Sequence, residues 1–261
     1  MSLRSNSTSD TLEAAARPTS FATFTLMGYA CIVSDTNFGS GPRQVIVSMF
    51  DTATVDAIVY LDWDDAGGAH MALGNYPPGS VGANFASRPS IGDWFHWYIT
   101  FNNGVSNYKA GWARAQDAYV TVDAGATLSV GSGVPNHLTY GNYSFTDNNS
   151  DIRWANLRAW NAALSDNEIA WERFSSVAIR RANLVFDVPG DSATLAEALK
   201  DFSGAGATMT QANLSADPDA PPTFDLFHSA QNWGKFAAAA GASRVNPFVG
   251  KFGFPLRGKF G

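Results

Sequence analysis

The sequence predicts an all-β protein, a sandwich of two antiparallel sheets with one short capped helix and extended terminal arms. Three observations carry this. Tandem stretches alternate apolar and polar residues with the period of half-buried strands, and no long helical pattern separates them. That order argues against a parallel sheet wound with helices. Composition points the same way, because glutamate is confined to Glu13, Glu168, Glu172 and Glu197 while Asp, Asn, Gly and aromatics abound. Finally, residues 151–174 read as a strand that runs into a capped helix.

Taken in order, residues 1–20 are polar and read as an arm, with 10–16 able to form a short helix that Pro18 ends. Residues 21–33 are β-rich and apolar. Asp35 to Pro42 is turn chemistry. Residues 45–50 and 57–63 alternate and read as strands, and 69–73 follow a Gly-Gly turn as in a hairpin. Residues 75–89, with Pro77-Pro78-Gly79, read as loop. The strongest strand is 94–101. It places Phe95, Trp97, Ile99 and Phe101 on one face and Trp94, His96, Tyr98 and Thr100 on the other. Further strands are expected at 108–114, 118–122 and 127–130, and a returning strand at 183–188. Residues 193–200 suit one or two helical turns, and 217–222 read as a linker.

In the stretch 151–174, Ile152 and Trp154 alternate in one phase and Ala155, Leu157 and Ala159 in the other. The phase change predicts a strand covered on both faces, or a bulge near Trp154. Ser165 and Glu168 have capping-box spacing, and Leu164 and Ile169 have that of a hydrophobic staple, so a helix is expected to begin near Asp166.

Leu157-Arg158-Ala159-Trp160-Asn161, Ala163-Leu164-Ser165 and Glu168-Ile169 together resemble the closing motif of laminin-G-like domains, in the concanavalin A-like lectin/glucanase group. Residues 92–100 are similar to that family's Trp-x-His strand. Leu138-Thr139-Tyr140-Gly141 is similar to its penultimate strand, and residues 201–206 to its Asp-x-Ser-Gly-x-Gly turn. The resemblance spans about residues 21–215 and implies a jelly roll. With the polar start and the altered composition after 223, the expected divisions are a 1–20 arm, a 21–175 sandwich, a 176–223 returning strand and linker, and a 224–261 tail. The fold alone does not imply an activity.

The chemistry to weigh follows from that group. Retaining glycosidases need two carboxyls about 5–5.5 Å apart. The resembling glucanases set them as Glu-x-Asp-x-x-Glu, and that spacing is absent here. No Gly-x-Ser-x-Gly or His-Cys zinc spacing appears, and His70, His96, His137 and His228 read as structural. The expectation is therefore no enzyme and no catalytic residue. Calcium is the one cofactor with candidate ligands, Asp62 and Asp64 with Asp65, or Asp147 and Asp151 flanking an Asn-rich loop. Trp63, Trp112 and Tyr143 lie beside loops and are the candidate sugar-stacking rings.

Residues 224–261 change character. They hold seven Phe and repeat Gly-Lys-Phe at 234, 250 and 258. From 226 on the tail carries +5, against −11 for the rest of a chain whose net charge is −6. Seven buried Phe would yield roughly 10–20 kcal/mol. Ordering the tail costs about 1–2 kcal/mol per residue, so it needs a template. Lys235, Phe236, Phe248, Lys251, Phe252, Phe254, Arg257, Lys259 and Phe260 are the expected partner-binding residues. No apolar leader precedes the sandwich, and no apolar run approaches the ~18 residues of a membrane span. A lone Cys31 allows no internal disulfide. A charge of +5 on an acidic chain is too modest for nucleic acid. The leading expectation is a non-enzymatic virion subunit made in the host cytoplasm, a phage capsid decoration or tail protein. Its partners would be other virion proteins or its own copies. The alternative is a lectin module that binds host or cell-surface glycan, and the third is a polysaccharide-degrading enzyme with an unrecognised site.

Overall fold

The computed structural model describes residues 2–5, 10–37, 43–51, 58–64, 70–76, 81–102, 107–114, 117–125, 134–141, 150–190 and 194–219. The chain divides into two units, residues 1–224 and 225–261, and the second lies outside the described residues. In order, the elements are β1 (Ser2–Ser5), β2 (Thr11–Ala14), β3 (Thr23–Asn37), β4 (Arg43–Phe50) and β5 (Ile58–Asp64). Next come β6 (His70–Tyr76), β7 (Val81–Asn84), β8 (Trp94–Asn102), β9 (Asn107–Arg114), β10 (Val120–Gly125) and β11 (His137–Tyr140). The chain closes with β12 (Ser150–Trp160), α1 (Asp166–Arg173), β13 (Leu184–Val188), α2 (Leu195–Ala198), β14 (Met209–Ala212) and β15 (Ser215–Asp217).

Two antiparallel sheets result. One runs β10-β9-β8-β3-β12-β1-β15, with β13 also paired to β12; the other runs β14-β2-β11-β4-β5-β6-β7. The β-sandwich that the alternating stretches predict is the observed architecture. Phe95, Trp97, Ile99 and Phe101 of β8 face the space between the sheets, as their spacing requires, together with Phe24, Leu26, Leu61, Met49 and Leu138. The opposite face of β8 is covered too. Tyr98 joins Met27, Trp160, Leu164 and Ile169 in a second apolar cluster under α1.

The phase change in β12 is a bulge. Ala155 stands opposite Tyr29 and Arg158 opposite Met27, so two residues of β12 face Gly28 alone. Asn156 takes a left-handed conformation (φ 49°), which Asn tolerates, and its N–H donates to the Pro189 carbonyl at 2.7 Å. Gly28 is the residue that leaves room: a Cβ there would lie 2.8 Å from Leu157 Cδ2 and 3.2 Å from Trp97. The bulge lets Ile152 and Trp154, and then Leu157 and Ala159, all point into one core.

Helix α1 begins as predicted. Glu168 N–H donates to Ser165 Oγ, and Ser165 N–H donates to Glu168 Oε2 at 2.8 Å. Leu164 and Ile169 are both buried in the cluster beneath. Such a cap contributes about 0.5–2 kcal/mol. A stronger clamp comes from Arg158, whose side chain is 2% exposed. Its Nε donates to Asp187 Oδ1 at 2.8 Å, Nη1 to the Glu172 carbonyl at 2.9 Å and Nη2 to the Ser175 carbonyl at 2.7 Å. Glu172 Oε2 lies 3.3 Å from the same guanidinium and also accepts the Ile179 N–H.

Several expectations are corrected. The segment 10–16 is not helical: Thr11–Ala14 is a strand between β11 and β14, because pairing on both sides and burial of Leu12 and Ala14 override local propensity. Of the expected arm over 1–20, residues 2–5 and 11–14 are sheet strands, and Leu3 is fully buried opposite Trp154. The segment 75–89 contains β7, and Asp217 of the expected linker belongs to β15, bridged to Arg153 and Arg4. The strand expected at 127–130 lies outside the described residues.

Candidate functional site

The outer face of the seven-stranded sheet is built from side chains that alternate with the core. Register places Thr210, Glu13, Thr139, Ser48 and Tyr60 in one row across five strands. His137 and Phe50 stand side by side in the next row. Ser48, Phe50, Tyr60 and Thr139 are buried. His137 and Glu13 keep 22% and 29% of their side chains exposed.

Four strands make the corner that these two share. Glu13 Oε1 of β2 lies 2.5 Å from His137 Nδ1 of β11, which sets that nitrogen as the donor. Phe50 of β4 stacks on the imidazole, with centroids 5.0 Å apart and planes 21° apart, and fixes the ring's tilt. Just before β11, Asn136 Nδ2 donates to Asp51 Oδ1 at 3.0 Å, and its N–H donates to the Phe50 carbonyl. Arg17 reaches in from the end of β2, donating from Nε to the Pro135 carbonyl and from Nη1 to the Ala15 carbonyl, both at 2.9 Å. On the other side of Glu13 stands exposed Thr210 of β14. The Glu13 carboxylate and the His137 imidazole meet beside the Phe50 ring, with Thr210 next to Glu13 in register, while Asn136 and Asp51 bond to each other at the strand ends. This set can accept and donate several hydrogen bonds at once.

The residues singled out in the sequence lie elsewhere. Trp63 and Trp112 are buried and are not stacking platforms. Their indole N–H groups donate to the Pro89 and Ser87 carbonyls at 3.2 and 3.0 Å, and Arg88 covers the Trp63 ring at 4.2 Å. One comes from each sheet, so together they pin the segment that leads into β8. Tyr143 and Asp147 lie outside the described residues, as do all nine partner-binding candidates of the tail. Asp151 is no open calcium ligand. Its oxygens take Arg4 Nε at 3.0 Å, Arg4 Nη2 at 3.3 Å and Ser34 Oγ at 3.1 Å, so a guanidinium sits where a cation would bind. Asp62 is fully buried on an interior strand and not at a rim, and Asp64 ends that strand opposite Arg43 and His70. Among the described residues, no three His, Cys, Asp or Glu side chains cluster to hold a metal ion.

His96 is structural, as expected. It is buried beside Tyr29 and shares Nδ1 with the Tyr119 hydroxyl at 2.9 Å. Burial, with the nearby Arg173 and Arg158 charges, holds it well below the usual imidazole range. The groove of about 550 Å3 between α2 and β14 is lined by residues such as Leu199, Lys200, Thr208 and Met209 and carries no aromatic ring. Asp201 at its edge is spent on its own loop. Burial opposes its charge, but bonds from Ser203, Asp187 and Ala207 outweigh that and hold the carboxyl below the usual range.

No protein-family model matches the sequence, and no curated protein matches it. Among solved structures, the chain is similar to a protein from Bacteroides ovatus ATCC 8483 proposed to bind carbohydrate. The TM-score is 0.55 and the identity 13%, over 83% of this chain and 62% of that one. It is also similar to the enzymatically active domain of bacteriophage CBA120 tailspike protein 2, with TM-score 0.49 and 14% identity over 69% of this chain and 28% of that one. A third is the native heptameric SAP-like pentraxin from Limulus polyphemus, with TM-score 0.49 and 12% identity over 80% of this chain and 94% of that one. At these identities the likeness lies in the fold. The chain spans about 62% of the length of the Bacteroides protein.

Proposed function

We propose that this chain is a carbohydrate-binding β-sandwich module whose ligand meets the corner formed by Glu13, His137, Asn136 and Thr210. The observation that carries the reading is the partly exposed Glu13–His137 pair backed by Phe50. Sugar hydroxyls are recognised by fixed groups that both donate and accept, and such groups must be held in place before the ligand arrives. Here Glu13 holds His137, Phe50 stacks on its ring, and Asp51 holds the Asn136 amide. The fold shared with a protein proposed to bind carbohydrate is in keeping with this reading. It replaces the expected stacking on Trp63 and Trp112, which serve the loop instead. The test is a glycan panel read by titration calorimetry. His137→Ala should weaken the best ligand at least tenfold with a melting temperature within a few degrees of the parent. Undiminished affinity in that variant places the ligand elsewhere.

A second reading is an assembly subunit of a virion, anchored by residues 224–261. It rests on the three Gly-Lys-Phe units and on a +5 tail joined to a −11 remainder. Truncation after Pro222 should leave a folded protein that no longer joins its assembly. A truncated chain that cannot fold would make the tail part of the fold and end the anchor reading.

A further inference from the structure

We infer that the ligand is an oligosaccharide rather than a single sugar, and that it runs from the corner along β14 into the groove beside α2, where a later unit stacks on Phe202. The inference rests on the carbohydrate-binding reading above. Among the described strands β14 pairs with β2 alone and forms the edge of its sheet. Thr210 stands beside Glu13, and the Thr208 carbonyl still accepts the Ala15 N–H at 2.9 Å, so the ladder continues past the strand end. Strand residues two apart share a face and lie about 7 Å apart. Both threonines are exposed, and Thr208 also lines the groove of about 550 Å3, so a pair of hydroxyls joins groove to corner. The groove wall includes apolar Leu199 and Met209, and it includes Glu197 and Lys200. These two are exposed, and among the described residues their side chains take no hydrogen bond or ion pair. One acceptor and one donor thus stand ready for sugar hydroxyls.

The lining has no ring of its own, but Phe202 stands at the rim, with Lys200 Nζ 5.6 Å from its centroid. Phe202 is 48% exposed, yet its backbone is fixed. Its N–H donates to the Asp187 carbonyl at 2.8 Å, and its carbonyl accepts Arg181 Nη1 at 2.9 Å. The turn beyond it is tied to the Asp201 carboxylate by the Ser203 and Ala207 N–H groups. A flat ring held on a rigid base can take the C–H face of a pyranose with little further loss of freedom. It supplies what the corner lacks, because Phe50 is buried there and offers no open face. Hydroxyl recognition at one end and stacking at the other suit a chain of sugars.

The experiment is calorimetric titration with glucose and the cello- and malto-oligosaccharides up to the hexamer, and with galactose and mannose series of the same lengths. In the series that binds, affinity should rise at least tenfold from monosaccharide to hexamer. Phe202→Leu keeps apolar bulk but removes the flat face. It should abolish most of that rise, leave the monosaccharide unchanged and keep the melting temperature within a few degrees. Phe202→Tyr, which keeps the ring, should retain the rise. His137→Ala should instead weaken every length by a similar factor. Should Phe202→Leu disturb the fold, Lys200→Met gives the same readout, a loss confined to the longer sugars. Affinity that does not depend on length, or a rise that survives both groove variants, overturns the inference and leaves the corner standing. A loss in the groove variants with none in His137→Ala overturns the corner reading and the path that starts from it. Failure of every sugar to bind overturns both.

Discussion

Arg158→Ala is expected to cost about 3–5 kcal/mol of unfolding free energy, the range for breaking a buried ion pair from one side. The guanidinium, Asp187 and Glu172 have side-chain exposures of 2%, 1% and 1%, so water cannot replace what the substitution removes. Two carboxylates and the carbonyls of Glu172 and Ser175 would each lose a donor. The loss falls unevenly. Burial pushes the Glu172 carboxyl up, with Arg158 and the Arg180 and Ile179 N–H groups working against that push, so Glu172 can take up a proton when its cation goes. Asp187 keeps only the Ala178 N–H at 2.7 Å and a distant Arg181 at 4.0 Å, and it is the costlier orphan. Urea unfolding measures the effect. A second substitution, Asp187→Asn on the Arg158→Ala background, should recover part of the loss. A loss below about 1 kcal/mol for Arg158→Ala would show that α1 is held by its apolar underside alone.

This network also marks what the sequence could and could not disclose. Arg158 was visible as part of a motif, yet its role depends on Asp187 and Glu172, which neither periodicity nor spacing links to it. What was legible came from local period. The two faces of β8, the phase change after Trp154 and the capping box at Ser165 each involve residues close in sequence. What was missed came from pairing at long range. Strands β1, β2, β14 and β15 have three or four residues each, too few to show alternation, and they are strands only because Leu3 meets Trp154 and Glu13 meets Thr139. The candidate corner is missed for the same reason. Glu13 and His137 lie 124 residues apart, and His137 reads as isolated until β2 and β11 are neighbours. Trp63 and Trp112 were misread because an aromatic near a loop can equally well face inward and bond that loop's carbonyls.

Trp154→Ala is expected to cost about 3–5 kcal/mol, the range for emptying a large aromatic site in a core that cannot fully collapse. The residue is fully buried between β3 and β1, opposite Ala30 and Leu3. Its ring also explains Gly141: a Cβ there would lie 2.7 Å from the indole, at a φ of +78° that favours glycine in any case. The indole N–H donates to the Ile46 carbonyl at 3.1 Å, across the sandwich. Ile46 is the extra residue of a bulge in β4, where the register to β5 shifts between Val45 and Val47. A bulge sets which face each later residue takes, and a one-residue slip would turn all of them over. Phe50 meets His137, and Ser48 meets Thr139, only in the observed register. Trp154→Phe separates the two contributions. It keeps most of the apolar volume but removes the donor, so it should cost about 1–3 kcal/mol. It should also speed amide exchange at residues 45–47 more than in β8. Uniform loss of protection across both sheets would mean that Trp154 acts through packing alone. The Ile46 bond would then have no part in holding β4, and through it the Phe50–His137 stack, in register.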